Sequence, residues 1–462
     1  MDDTLTMIQQ LTSDEWAERG RRQRKDIPRS SLASLTPSTE DPVDILTEQN
    51  TSRVADLVPL RFARMLTDPF SFFRGSAALM TADLAASPHT NLPVISCGDA
   101  HISNFGLYAS PERDLVFDLN DFDETAVSPF EWDLKRLVAS LVVGGRQAGY
   151  SAQSVRESAV SAVDQYISGV RDLIELGVME RYHLHVEPEL MESRVSPALR
   201  QVIDETTRRA RKRTSKRAAR RLTEIDAQGN LRFRDDPPVL THVGEENESE
   251  LRQTILTYLA GLEPDIALLL SQFRLLDVAR RVVGVGSIGT RCYIALLIGP
   301  TGEALILQVK EATASVLTTW GHQEQPEPLA RFVSELGQGA RVVGGQKMLQ
   351  GVSDPFLGAV RSGGHDYYIR QFHDMKGSVD VDSMDEEVFG EYGRACALLL
   401  ARAHGQSPTL GSVVSYIGGG KPLRTAIVDF AESYADKSEE DFEKLTEAAR
   451  TGSVPVAPDP AR

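Results

Sequence analysis

The spacing of apolar residues changes twice along this chain, and that change limits the folds open to it. Before residue 270, the segments SAALMTADLAAS and WDLKRLVASLVVGGRQAG carry apolar residues at helical spacing. From about residue 278 to 375, ARRVVGVGSIGTRCYIALLIG and EALILQVKEA are typical of strands joined by glycine-rich turns. Residues 386–446 return to a helical pattern. The sequence therefore predicts an α+β fold with a β-rich block between helical ones.

This pattern divides the chain into segments, two of them at the termini. The first 50 residues are rich in charge, Ser, Thr and Pro, so we predict a partly disordered arm. The end of the chain, from residue 451, is predicted to be a disordered tail. Between them we predict a helical large lobe (51–270), a β-rich small lobe (271–378) and helices that return to the large lobe (379–450).

Composition narrows the class of protein. The net charge of −16 argues against a general nucleic-acid binder, which normally has a basic domain. The three cysteines, Cys97, Cys292 and Cys396, lack metal-ligand spacing and are expected to be reduced thiols. The N-terminus lacks the apolar core of a signal peptide, and no apolar run is long enough to span a bilayer. We therefore expect a soluble cytoplasmic protein.

A glycine-rich stretch lies in the β-rich block. Gly284, Gly286 and Gly289 form GVGSIG, with Ser287 between them. A dinucleotide-binding motif would continue into a helix, but TRCYIALLIG alternates like a strand. Strand, glycine turn and strand, with Lys310 on the next strand, is the arrangement that covers ATP phosphates in protein kinases. A plain hairpin with one surface lysine is the alternative.

Two acidic loops, each following an apolar strand, give a stronger signal. In GDAHISNFG, Asp99 and Asn104 are five residues apart, which is the spacing of a kinase catalytic loop. That loop supplies a carboxylate for the attacking hydroxyl and an amide oxygen for a metal. About 20 residues later, FDLNDFDE offers Asp121 and neighbouring acids as Mg²⁺ ligands. Capped turns with solvated charge would explain one such loop, but not two loops whose order and separation match those of a kinase site.

The GDxH in the first loop also opens the pattern of metallophosphoesterases, which bind two metal ions. That class would need a later GDxxD and a GNH-type loop. Neither motif follows in this sequence, and its nine histidines are scattered. We therefore rank a metallophosphoesterase below a kinase-like enzyme.

Several long motifs carry a family resemblance. GDAHISNFG, VFDLNDFDET, PFEWDLKRL, PLRFARMLTDPFSFFRG, VVGVGSIGTRCY, LQVKEA and YYIRQFHDMKGS resemble the bacterial family named domain of unknown function 2252. The resemblance runs from about residue 20 to residue 445. It implies a fold of the protein-kinase-like superfamily, without implying a particular substrate.

The acidic motifs also resemble those of aminoglycoside and homoserine-type kinases. This resemblance implies that Asp99 is the catalytic aspartate and that Asn104 and Asp121 bind metal. The segment DFDETAVSPFEWDL matches their DFDDAxxGPxxWDL-like pattern in spacing. It also implies that Asp133, at the start of a helix, braces the catalytic loop.

The sequence departs from that pattern at several positions. Cys97 replaces the histidine that opens the catalytic motif. The glutamate that would pair with Lys310 is assigned to Glu335, with Gln346 as a neutral substitute. His101 either contacts substrate or packs.

The order of the blocks is also unusual, since the glycine-rich segment follows the first acidic loop by some 185 residues. A circular permutation of a two-lobed kinase-like fold explains this order, because domain termini are often close together. Two unrelated domains with kinase-like pieces are the alternative.

The function that these features predict is an ATP- and Mg²⁺-dependent phosphotransferase. Its acceptor would be an unknown hydroxyl-bearing small molecule or protein. A nucleotide-binding pseudokinase or regulatory module and an AMP transferase on the same fold are the alternatives. The basic run at residues 207–221, TRRARKRTSKRAARR, is either a solvated helix face or a phosphate-facing surface.

Overall fold

Helices and strands alternate in blocks along the computed structural model, which describes residues 11–184, 196–282, 284, 286–372 and 376–457. The fold is α+β, as the apolar spacing predicts. The helices are α1 Ser13–Asp26, α2 Pro42–Gln49, α3 Val58–Met65, α4 Pro69–Gly75, α5 Ala77–Ala86, α6 Phe130–Gln147, α7 Ala152–Ile174, α8 Val178–His183, α9 Pro197–Arg211, α10 Ser215–Leu222, α11 Glu245–Ala260, α12 Pro264–Leu270, α13 Val316–Thr319, α14 Glu327–Leu336, α15 Gln338–Leu349, α16 Glu386–His404, α17 Leu410–Ile417 and α18 Lys421–Arg450.

The strands form a large sheet and three small ones. Short 3₁₀ turns, among them Ile102–Asn104, join some of the elements. The strands are β1 Pro93–Ser96, β2 Phe105–Ala109, β3 Leu115–Leu119, β4 Ala126–Pro129, β5 Thr223–Ile225, β6 Leu231–Phe233, β7 Leu240–Thr241, β8 Arg274–Arg281, β9 Cys292–Ile298, β10 Ala304–Glu311, β11 Gly358–Ser362, β12 His365–Gln371 and β13 Gly377–Ser378.

The large sheet has six strands in the order β11-β12-β10-β9-β8-β7, and all its pairs are antiparallel. β8 and β9 flank the glycine-rich segment, so the predicted strand, turn and strand are confirmed. Lys310 lies on β10 opposite Cys292. Helix α10 packs on one face of the sheet through Leu222, and α11 packs on the other through Ile255 and Tyr258.

This packing refines the predicted division of the chain. Helices α10, α11 and α12 lie in the segment predicted as a helical large lobe, yet their apolar sides pack on the large sheet. Apolar spacing predicts a buried helix face without specifying the surface that covers it. The later helices α16 and α18 join the other helical core, around α6 and α7.

The two ends of the chain are docked where the structure describes them. In the predicted N-terminal arm, α1 lies so close to α17 that a β-carbon on Gly20 would be 2.2 Å from the carbonyl oxygen of Ser412. Arg24 and Arg29 donate to carbonyls at the C-terminal end of α17, where basic groups are favoured. In the predicted tail, the amide of Ala457 donates to Pro59. Residues 1–10 and 458–462, also predicted to be disordered, lie outside the described residues.

Two further expectations concern the cysteines and the absence of membrane-spanning segments. Cys97, Cys292 and Cys396 are unpaired and buried. None of the helices in the described ranges is both long and apolar enough to cross a membrane.

Helix α15 packs closely on β12, and one glycine permits this approach. A β-carbon on Gly339 would lie 2.1 Å from the carbonyl oxygen of Tyr367. Gly344 in the same helix has 3.9 Å of space toward Phe332. We therefore expect Gly339→Ala to lower the free energy of unfolding by about 1–3 kcal/mol through overpacking, as measured by urea denaturation.

Gly344→Ala is the matched control for this prediction. Alanine is the better helix former, so we expect this variant to be up to about 1 kcal/mol more stable than wild type. Equal effects at both positions would contradict the close packing of α15 on β12.

Candidate active site

The first acidic loop connects β1 to the short 3₁₀ turn Ile102–Asn104. The backbone amides of Cys97 and Gly98 donate to the two carboxylate oxygens of Asp133, at 2.8 and 3.0 Å. Gly98 has φ +83, and a β-carbon there would lie 2.2 Å from the carbonyl oxygen of Glu124. Only glycine tolerates both conditions. The first loop is therefore fixed to α6 and pressed against the second acidic loop.

Asp133 is itself held by other helices. Its carboxylate lies 3.3 Å from His404 of α16, and the other ring nitrogen of His404 lies 2.8 Å from the hydroxyl of Tyr166 on α7. All three side chains are buried. The prediction that Asp133 braces the first loop is therefore confirmed, and the brace extends through two further helices.

Asp99 presents its carboxylate from this braced loop. Arg136 donates to it at 2.8 Å, while the same guanidinium bonds the carbonyl of Phe73 and lies over its ring at 3.9 Å. The Asp99 side chain keeps 20% of its surface exposed. Burial raises the pKa of Asp99 above its ordinary value, although Arg136 opposes that shift. The site thus holds a fixed carboxylate with one accessible edge.

Two predicted site residues adjoin Asp99. The side-chain amide of Asn104 donates to the backbone carbonyl of Asp99 at 2.6 Å. His101 is buried, with its Nε2 3.7 Å from an Asp99 oxygen. Burial lowers the pKa of His101 well below its ordinary value, and Arg74 and Arg136 lower it further. The imidazole is therefore neutral near pH 7.

The second acidic loop receives the lysine of the large sheet. Lys310, whose side chain is 3% exposed, pairs with the carboxylate of Asp123 and donates to the Ser287 hydroxyl at 2.8 Å. The Tyr368 hydroxyl also donates to Asp123, at 2.8 Å. Burial alone would raise the pKa of Asp123, but the Lys310 ammonium holds it below its ordinary value. The fold thus joins the glycine-rich segment, the lysine and the acidic loop.

The expected partner of Lys310 does not join this cluster. Glu335 is exposed near the end of α14, and Asp123 provides the carboxylate that meets the ammonium. Helix α15, rather than α14, packs on the acidic loop, where Arg341 donates to the carbonyls of Asp123 and Thr125 at 2.8 and 2.5 Å. The predicted pairing of Glu335 with Lys310 is therefore wrong, and Asp123 is the partner of Lys310. The repeated aspartate in DFD was the sequence signal for Asp123.

Gln346, the neutral substitute considered for that partner, lies on α15. It is buried and donates to Gln350 at 2.9 Å. It lines the same cavity as Lys310, without a hydrogen bond to it among the described residues.

Two cavities flank the cluster. The first cavity, of about 380 Å³, is lined by Asp99, His101 and Asn104. The second cavity, of about 430 Å³, is lined by Lys310 and other cations. Three residues line both cavities, and they are Asp121, Gly284 and Ser287.

The glycines of GVGSIG take different positions. Gly284, with φ +73, lines both cavities, and Gly286 lines the first. Gly289 lines neither. Its carbonyl accepts from the amide of Val54 at 2.7 Å, and it packs against Arg53. Two of the three predicted glycines therefore reach the cavities.

The first cavity has Arg53 and Arg74 beside several carboxylates, whereas cations outnumber carboxylates in the described lining of the second cavity. Arg370 donates to Gln308 at 3.0 Å inside it, and Arg64 and Arg281 also contribute to its lining. Burial and the neighbouring Arg370 together lower the pKa of Lys376 to about 7. The second cavity is therefore suited to an anionic ligand.

Asp121 and Asn104 are the predicted metal ligands, and both line the first cavity. Within the described ranges, no three His, Cys, Asp or Glu side chains are grouped as a metal site. Mg²⁺ does not require such a group, because it is commonly bound by one or two carboxylates together with water and substrate phosphates. One carboxylate and one amide beside a cationic cavity fit that donor set.

Comparison with known proteins agrees with the motifs. A family model described as "Uncharacterized protein conserved in bacteria (DUF2252)" matches residues 53–448. This match confirms the predicted family resemblance over most of the chain. No curated protein and no solved structure matches the chain significantly.

Glu124, in the second acidic loop, provides a pH-dependent test of this geometry. Burial raises the pKa of Glu124 from 4.5 to about 7, even though its carboxylate accepts from the Val316 amide at 2.7 Å. Because the folded protein keeps a proton that the unfolded chain releases, the free energy of unfolding from this group falls between about pH 4.5 and 7. We expect Glu124→Gln to flatten this part of the profile in thermal melts at pH 5, 6, 7 and 8.

The exposed Glu335 supplies a control of the same chemistry. Glu335→Gln should keep the wild-type dependence of melting temperature on pH. A full wild-type slope in Glu124→Gln would contradict the half-buried position of the Glu124 carboxylate beside the Val316 amide.

Proposed function

The chain belongs to the DUF2252 family of proteins conserved in bacteria, and from its site we propose an ATP- and Mg²⁺-dependent phosphotransferase acting on a hydroxyl group. One observation carries the proposal. A cavity lined by cations and a cavity lined by the Asp99 carboxylate meet at Asp121 and Ser287. Phosphoryl transfer needs this arrangement, since donor phosphates and acceptor hydroxyl must approach each other across a metal site.

The second cavity would hold the triphosphate. Lys310 and Arg370 supply positive charge, and the segment from Gly284 to Ser287 contributes the wall shared with the first cavity. In protein kinases, a glycine-rich turn is followed by a lysine strand and then by a helix. The order β8, glycine-rich turn, β9, β10 and then helices supports this comparison. It also supports a kinase-like fold in permuted order, with the acidic loops preceding the sheet in the chain.

Asp123 would position the lysine. In protein kinases a helix glutamate pairs with the phosphate-binding lysine. Here Asp123 takes that place, with Tyr368 and Ser287 fixing the geometry around Lys310. The lysine thus remains charged inside the fold, where it can attract phosphate oxygens.

Asp121 and Asn104 would hold the Mg²⁺ ion. When bound, this ion neutralises the charge that develops on the transferring phosphoryl group. Asp121 lies where both cavities meet, so a cation at its carboxylate would adjoin the donor and the acceptor.

Asp99 would receive the acceptor. Its carboxylate would orient the hydroxyl, whose oxygen forms a bond to the γ-phosphorus while the bond to the β,γ-bridging oxygen breaks. The acceptor proton passes to Asp99, and ADP leaves with the bridging oxygen. Burial raises the pKa of Asp99, which makes it a better proton acceptor than a solvated aspartate.

Nucleotide binding can be tested by thermal shift with millimolar ATP and Mg²⁺. A ligand at 100 times its dissociation constant stabilises the native state by about 2.7 kcal/mol, so the melting temperature of wild type should rise. We expect Asp121→Asn and Lys310→Met each to lose most of this shift. Glu335→Gln, a change at an exposed residue outside both cavities, should keep it. No shift in wild type would refute the proposal.

Turnover is tested separately with Asp99→Asn. This variant should keep the ATP-dependent shift but lose about 10²–10⁴-fold in transfer rate, because it lacks the proton acceptor. The assay would incubate wild type with hydroxylated small molecules and proteins and with γ- or α-labelled ATP. Label from the γ-phosphate supports phosphotransfer, whereas label from the α-phosphate would identify an AMP transferase. ATP binding without any label would indicate a pseudokinase.

A further inference from the structure

The basic run of residues 207–221 contributes to an open cavity of about 660 Å³, which we call the arginine groove. Of the nine lining residues that the structure describes, seven are Arg or Lys and none is acidic. The groove cations include Lys212, Arg213, Arg217, Arg220, Arg221 and Arg281. In a chain with net charge −16, this is a strong local reversal of sign.

A solvated helix face explains part of this groove, but not all of it. Helix α10 buries Ala218 and Leu222 on the large sheet, which leaves its arginines on the outer side. Arg281, however, comes from β8, and its guanidinium lies 5.1 Å from the ring centre of Phe372. Arg213 comes from the turn between α9 and α10, where it donates to the carbonyl of Lys376 at 3.0 Å. Separate elements therefore converge on one concave surface.

Most of the groove cations have no ion pair with a described carboxylate. Arg209 is 3.8 Å from Glu205, and no ion pair with a described carboxylate involves Lys212, Arg217 or Arg221. The Nε of Arg281 is buried without a hydrogen-bond partner in the part of the chain that the structure describes. Burial lowers the pKa of Arg281 and the like charge of Arg221 adds to that shift, while the Asp236 carboxylate opposes it. Bringing these cations together costs free energy that a bound anion would offset.

We propose that the arginine groove binds a compact oligophosphate, meaning a small ligand with three or more linked or neighbouring phosphate groups. Guanidinium groups donate pairs of parallel hydrogen bonds to phosphate oxygens, and several of them favour several phosphates. The described part of the lining lacks aromatic side chains, on which the bases of a single-stranded nucleic acid would stack. The net charge of −16 on the whole chain disfavours a long polyanion that would extend beyond the groove.

The groove adjoins the second cavity but is a separate site. Arg281 lines both, and the Arg213 bond to Lys376 reaches a residue of the second cavity. The remaining groove cations, from α9 and α10 and the turn between them, do not line the second cavity. Oligophosphate binding in the groove therefore does not depend on the proposed phosphotransferase function.

The test is calorimetric titration of the full chain with inorganic tripolyphosphate at fixed ionic strength. We expect the double variant Arg217→Gln, Arg221→Gln to bind at least about tenfold more weakly than wild type, because it loses two charge-assisted contacts. The matched control, Arg208→Gln with Lys216→Gln, removes two charges from the same segment outside the groove. It should bind within about twofold of wild type. Unchanged melting temperatures would establish that both variants fold.

Further measurements distinguish tripolyphosphate binding in the groove from binding at the proposed nucleotide site and from binding of other ligands. Lys310→Met should keep the arginine-dependent binding of tripolyphosphate in the groove, whether or not the proposed phosphotransferase function holds, and should lose only the binding that the second cavity adds. Loss of binding in Lys310→Met, with wild-type affinity in the groove variant, would assign the ligand to the second cavity and overturn the proposal. Orthophosphate binding as tight as that of tripolyphosphate would also overturn it. Tighter arginine-dependent binding of a single-stranded RNA oligomer would make the groove a nucleic-acid surface instead.

Discussion

The ion pair between Lys310 and Asp123 connects the large sheet to the acidic loops, and the arrangement of both cavities depends on it. A buried ammonium without a partner is costly, and the pair is further satisfied by Tyr368 and Ser287. Because Lys310 lies on β10 and Asp123 on the loop before β4, the pair fixes the sheet relative to the helical core. The border between the two cavities lies beside this contact.

The acidic loops are held by backbone contacts as well as by charge. Asp133 accepts two amides of the first loop, and Arg341 donates to two carbonyls of the second. Gly98 allows the two loops to touch. Because Asp133 and Arg341 lie outside the two loops and bind their backbone groups, the loops are fixed without the use of their own side chains. Asp99 and Asp121 are thereby left at the cavity walls, where a ligand can reach them.

Local patterns in the sequence predicted much of the fold. Helical spacing predicted α5 and α6, alternation around the glycines predicted β8 and β9, and the strand position of Lys310 followed from LILQVKEA. Ion pairs between residues that are far apart in the sequence were not predictable in this way. Asp123 and Lys310 are separated by 187 residues, and the expectation of a helix glutamate came from resemblance rather than from the residues. The packing of α11 on the sheet was missed because an apolar helix face does not specify its partner.

In the candidate site, too, local spacing predicted the residues that are close in sequence but not those that only the fold brings together. Spacing within one loop grouped Asp99 with Asn104, and the fold places both at the first cavity. The basic run was visible in the sequence, but Arg281 could not be assigned to it. Arg281 follows the run by 60 residues and belongs to a strand whose neighbouring positions are mostly apolar. The convergence of such distant residues depends on tertiary packing, which local spacing does not encode.

The different charges of the two cavities give a physical reason for placing the phosphate donor in one cavity and the acceptor in the other in the proposed reaction. A net charge of −16 repels phosphate-bearing ligands from the protein as a whole, so cations must reverse that field locally. Lys310 and Arg370 do so in the second cavity, while Asp99 remains at the first. In the proposed reaction, a triphosphate would therefore take the cationic side and a neutral hydroxyl the side of Asp99. Asp121 lies between them, where a divalent cation would be attracted by its carboxylate and by the phosphates together.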